Sequence, residues 1–184
     1  MSNKLFLSLA GALVLACAGT SVFAQAPAAS DDHAVAGDVT NVSADGKTMT
    51  VKTADGTDKT FKVDSNTTVN GAKGNVADEK GKHVVVHYTA KGGEETAKGV
   101  KDAGKGTWKV TEGTVEKVGD GGKWVSIKTK DGSVKTYEVS KKATIETGKG
   151  IEEGGKYTGK AGEKVVVYSM VDPTKEVGHF FKKL

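Results

Sequence analysis

The stretch VKTADGTDKTFKV, residues 51–63, returns as IKTKDGSVKTYEV, residues 127–139, at an offset of 76. Along residues 37–74 and 113–150 the same offset gives 15 identities in 38 pairs, among them Lys52-Thr53 with Lys128-Thr129 and Asp55-Gly56 with Asp131-Gly132. Val51 with Ile127, Phe61 with Tyr137 and Val69 with Ile145 are conservative pairs. Turn residues align with turn residues and apolar with apolar, which shared composition does not produce, so the sequence reads as a duplication. Whatever one half folds into, the other must fold into as well. Beyond residue 150 the offset grows to 81, because HVVVHY from His83 matches KVVVYS from Lys164. The five extra residues of the second copy fall near EEGGKYTGKAG, and an insertion belongs in a loop.

Within each copy the apolar residues alternate. Met49, Val51 and Thr53 share one face, as do Phe61 with Val63 and Val84 with Val86 and Tyr88, while Lys and Thr occupy the other. The period predicts about five strands in the first copy, over residues 34–42, 47–53, 58–63, 82–89 and 95–101. Asp55-Gly56 and Asp131-Gly132 lie between alternating runs, where Asp-Gly supplies the positive φ angles of a tight hairpin turn. Residues 75–80 are the one helix-like candidate, too short to stand as a helix by themselves. With 36% hydrophobic and 6% aromatic residues there is material for two small cores rather than one large core. The expected fold is therefore all-β: two tandem, five-stranded barrels of the OB or SH3-like kind, at residues 34–103 and 110–184. A linker at 104–109 joins them, and Trp108 would act as a wedge in the joint.

GDVTNVSADGKTMTVKTADGTDKTFKV and GTVEKVGDGGKWVSIKTKDGSVKTYEV carry a pattern of G-x-V-x-x-V, then T-x-D-G, then T-x-x-V. It resembles that of small secreted bacterial β-barrel domains of unknown function. The resemblance spans both copies, most strongly their first halves, and implies an exported or envelope-associated barrel protein with no assigned reaction. Its motifs specify a hairpin and transfer no catalytic residue.

The N-terminus points the same way. Lys4, an apolar run over residues 5–16 and Val22-Phe23-Ala24 read as a secretory signal peptide at 1–24, followed by a linker at 25–33. The run is short of the ~20 apolar residues that span a bilayer, so no transmembrane span is expected in the mature chain. LVLACAG offers a rival, in which Cys17 becomes the acylated N-terminus of a lipoprotein. Bulky Leu15 and the conventional site before Gln25 favour cleavage after Ala24. The mature chain then has no cysteine, which removes disulfides and thiol chemistry.

Candidate chemistry is sparse. His83 and His87 would converge on a metal from a helix, but on a strand they lie about 13 Å apart and read as half-exposed strand residues. The sequence shows no metalloprotease, calcium-loop, nucleophile-elbow or phosphate-loop motif, so neither an enzyme, a metal nor a cofactor is expected. All 27 basic residues are lysine, against 23 acids, and loss of Lys4 with the leader leaves 26 against 23, or +3. Without arginine the chain lacks the bidentate readers of bases and phosphates, which argues against nucleic acid, although OB-like barrels can bind strands weakly by stacking. The expectation is a non-catalytic secreted or periplasmic binding or structural module. Its partner would be an anionic envelope component or a protein, and its ligand surface would lie at Trp124, Tyr137 and Lys128.

Overall fold

A computed structural model describes residues 31–172 and 174–184. The expected leader at 1–24, with Cys17, and the expected linker as far as residue 30 lie outside the described residues. Within them the chain is all-β, with two short 3-10 turns and two sheets. The first sheet holds β1 (Asp32–Val42), β2 (Thr48–Thr53), β3 (Asp58–Lys62), β4 (Thr68–Val69), β5 (Ala72–Lys73), β6 (His83–Lys91) and β7 (Glu94–Gly104). Its order is β3-β2-β1-β6-β7-β4-β5, and the parallel pair Lys62 with Thr96 also brings β3 against β7. The second sheet holds β8 (Lys109–Gly119), β9 (Trp124–Thr129), β10 (Val134–Thr147), β11 (Gly150–Glu153), β12 (Lys164–Asp172) and β13 (Lys175–Lys183). Its order is β11-β10-β13-β12-β8-β9, and β9 pairs again with β10, so five strands close into a barrel with β11 as an added edge.

Pairing registers recur between the sheets at the sequence offsets. Gly37 faces Thr53 as Gly113 faces Thr129, Lys62 faces Thr96 as Glu138 faces Val177, and Val86 faces Val100 as Val167 faces Phe181. Both β1 and β8 carry a register shift, after Val39 and Val115, which bends the strand so that it can serve two neighbours. In each Asp-Gly hairpin the glycine is left-handed, with φ of 92° at Gly56 and 84° at Gly132. Asp55 Oδ1 accepts the Thr57 N–H at 3.1 Å, and Asp131 Oδ1 accepts the Ser133 N–H at 3.0 Å.

The inward phase of each strand fills a core. Val39, Met49, Val51, Phe61, Val84 and Val86 pack in the first sheet, and Val115, Ile127, Tyr137, Ile145, Val167 and Phe181 in the second. Fully burying one such side chain contributes about 1.5–3 kcal/mol. Different plugs complete the two cores. In the first sheet it is Val76, on a 3-10 turn (Val76–Glu79) whose cap, Asn75, accepts the Ala77 N–H. In the second it is Tyr157, from the loop that holds the five extra residues. The helix-like stretch at 75–80 is thus a single 3-10 turn, as its length requires.

A third cluster lies between the sheets. Ala34, Ala36 and Val85, on the outer face of β1 and β6, meet Phe180 of β13, with Trp108, Ile151 and Tyr168 around them. Trp108 donates from Nε1 to Asp38 at 3.1 Å and stands edge-on to His83 and His179. One expectation is corrected here. His87 is 8% exposed rather than half-exposed, because the outer face of β6 is covered by the second sheet. The unbroken run Val84-Val85-Val86 was the signal, since a strand that faces solvent on one side alternates.

A candidate binding groove on the second barrel

Trp124 opens β9 opposite Gly119 of β8. A Cβ on Gly119 would sit 1.9 Å from the indole ring, so only glycine lets the ring lie flat on the strand. Lys117 Nζ lies 5.5 Å from the ring centre. Beside this platform is a cleft of about 570 Å³, bordered by Trp124, Thr136, Glu138, Lys141, Lys175 and Glu176. Through Glu138, Val139, Lys141 and Lys175 it continues into a second cleft of about 610 Å³, which reaches Lys142, His179 and, across the joint, Lys105.

Part of the charge in this groove is fixed. Lys175 pairs with Glu138 at 2.5 Å, Lys123 with Asp120 at 3.1 Å, and Glu176 accepts the Ser169 hydroxyl at 2.8 Å. The rest is free. Among the described residues Lys105, Lys141 and Lys142 form no ion pair, and Lys142 reaches only the Asn70 amide oxygen, at 3.4 Å. The groove thus offers an aromatic face at one end, fixed polar pairs in the middle and unneutralised ammonium groups at the other.

The three residues expected to form a ligand surface do not come together. Tyr137 is fully buried in the barrel core, where it pairs in register with Val125, and burial pushes its phenol up from the usual range. It shares the inward phase of Val139, and its match at the repeat offset is Phe61, an inward residue of the first sheet. Lys128 is exposed, but it lies four residues along β9 from Trp124, about 13 Å, in a separate depression with Glu112 and Lys130. Trp124 alone of the three borders the groove.

Sequence reasoning passed over Lys105, Lys141, Lys142, Lys175 and Glu138. A signal for some of them was present in the places where the copies disagree. Trp124 stands where the first copy has Thr48, and Ser140-Lys141-Lys142 stand where it has Asp64-Ser65-Asn66. Two features that make the groove are therefore substitutions within the repeat.

Among the described residues no group of three His, Cys, Asp or Glu side chains is placed to hold a metal, and no helix is long and apolar enough to cross a membrane. Comparison of the chain with family models, curated proteins and solved structures finds no match.

Proposed function

We propose that the chain is an exported, non-catalytic binding module, made of two tandem OB-like barrels behind a cleaved leader, and that the groove of the second barrel takes an acidic glycan of the cell envelope. One observation carries this reading: the indole of Trp124 and the free ammonium groups of Lys141 and Lys142 border one continuous groove, at positions where the second copy departs from the first. A flat aromatic face stacks on a sugar ring, the fixed Lys175–Glu138 pair offers hydrogen bonds to hydroxyls, and unpaired lysines attract carboxylates or sulfates. The first barrel, with Thr48 and Asp64-Ser65-Asn66 at those places, serves as the structural partner.

Binding of the mature chain to an acidic polysaccharide such as polygalacturonate, to neutral dextran and to single-stranded DNA, measured at two salt concentrations, tests the reading. The expected result is salt-sensitive binding to the acidic glycan, weakened about tenfold or more by Trp124→Ala and by Lys141→Ala with Lys142→Ala. Preference for DNA would move the assignment to nucleic acid, and no binding to any polymer would leave a structural envelope role. Export is tested separately. N-terminal sequencing of the processed protein should begin at Gln25, whereas an acylated Cys17 would establish the lipoprotein route.

A further inference from the structure

All four histidines of the sequence lie at the contact between the sheets. His33 Nδ1 is 3.2 Å from Glu146 across it, His83 pairs with the same Asp38 that holds Trp108, and His179 approaches Trp108 from the other sheet with ring centroids 6.1 Å apart. His87 spans the gap itself. From β6 its Nδ1 reaches Glu153 of β11 at 2.6 Å, and its Nε2 reaches Thr144 of β10 at 2.8 Å. The neutral ring satisfies both, donating from Nδ1 to the carboxylate and accepting the threonine hydroxyl at Nε2.

A charged ring would fare worse. Glu153 already binds the Lys101 ammonium at 2.8 Å, so an imidazolium would be a second cation on one half-exposed carboxylate, carried on a ring that is itself buried. The charged and titratable groups around His87 are Asp32 and His33 on β1, Tyr88 on β6, Lys98 and Lys101 on β7, Glu146 on β10 and Glu153 on β11. Burial dominates among these effects and pushes the His87 pKa down to about 4, with Lys101 adding to it and Glu153 and Asp32 opposing it.

We propose that the joint is an acid-sensitive latch: neutral His87 holds the two sheets together, and its protonation parts them about the connection that carries Gly104 and Gly106. Both glycines have positive φ, 96° and 150°, and only residues 105–108 separate β7 from β8. The open state binds the proton more tightly than the closed one. Closure is therefore fully favoured above the ordinary histidine value of 6.5 and weakens as the pH falls toward about 4. The closing equilibrium falls by about 70-fold between pH 7.5 and 4.5, and by its full ~300-fold only below pH 4.

The test uses the full mature chain with Trp124→Phe, so that Trp108 is its only tryptophan. Acrylamide quenching of Trp108 and small-angle scattering are followed from pH 7.5 to 4.5, with far-UV circular dichroism to confirm that the sheets persist. The expected result is a quenching constant and radius that rise as the pH falls. In His87→Gln, whose amide donates to Glu153 and accepts from Thr144, both stay flat. A flat response in the parent, or the same rise in His87→Gln, overturns the latch. Should His87→Gln not fold, NMR titration of the His87 ring in the parent decides: its protonation must coincide with the opening, and opening at a pH where the ring is still neutral overturns the proposal.

Discussion

Single glycines carry different burdens in this molecule. At Gly37 a Cβ would lie 2.3 Å from the Lys52 carbonyl oxygen, and at Gly113 2.4 Å from that of Lys128, so β1 and β8 run closer to their neighbours than any side chain allows. At Gly56 and Gly132 there is open space around the missing Cβ, and only the positive φ is at stake. Gly37→Ala and Gly113→Ala should each cost about 2–4 kcal/mol, because backbone must move, and Gly56→Ala and Gly132→Ala about 1 kcal/mol. Urea unfolding of the four variants checks the ranking, and equal costs would refute the crowding argument. Asp131 makes a second residue-scale case. The Thr129 and Ser133 side chains, together with the Ser133 N–H, hold its carboxyl down to about 2. Carboxyl NMR on Thr129→Val should find it shifted back toward 3.8. The Asp-Gly turns were legible because their chemistry lies within four residues. The need for Gly37 was not, since the carbonyl it avoids is 15 residues away on another strand.

Elements differ between the sheets where their breaks differ. β10 runs for 14 residues through the region that the first sheet divides into β3 and β4. The division has a local cause. Asp64 accepts the Asn66 N–H at 2.8 Å and closes a turn, whereas Ser140 at the matching place holds the Lys142 N–H only at 3.3 Å and the strand passes through with a register shift. As a result β10 meets β13 at Glu138, Val139, Thr144, Ile145 and Glu146, while the first sheet meets β7 at Lys62 from β3 and at Thr68 and Val69 from β4. Native-state hydrogen exchange should show the β3–β7 seam opening first, with amides around Lys62 and Thr96 exchanging at least tenfold faster than those around Glu138 and Val177. Equal protection would mean that the broken seam of β3 and β4 closes the first sheet as firmly as the continuous one closes the second. Hairpin strands could be read from alternation, but this parallel seam could not, because its partners are more than 30 residues apart and no local pattern records them. The two-residue strands β4 and β5 were missed for a related reason: nothing that short has a period.

At the scale of the whole molecule the sheets are joined by a small apolar cluster ringed with polar contacts. A fragment of residues 25–104 keeps every strand of the first sheet but uncovers Ala34, Ala36 and Val85 and leaves His87 without Thr144 and Glu153. It should unfold cooperatively, with a stability about 1–3 kcal/mol below that of the same sheet in the full chain, as read by denaturant titration. A fragment with no sheet signal would show that the joint is needed for folding. The unbroken valines of HVVVHY are a sign of burial on both faces that the half-exposed reading of its histidines passed over, and the sequence does not say whether a second sheet or a second molecule covers the outer face. The seam strands also impose an order in time. β7 is the last strand of its sheet to be synthesised and the one that links β6 to β3 and β4, and β13 stands in the same place between β12 and β10. Neither sheet can close on itself before that strand has left the ribosome. Each half waits as an open ribbon for its final nine to eleven residues, so a nonsense codon anywhere before them leaves a row of unpaired amides and carbonyls rather than a smaller barrel.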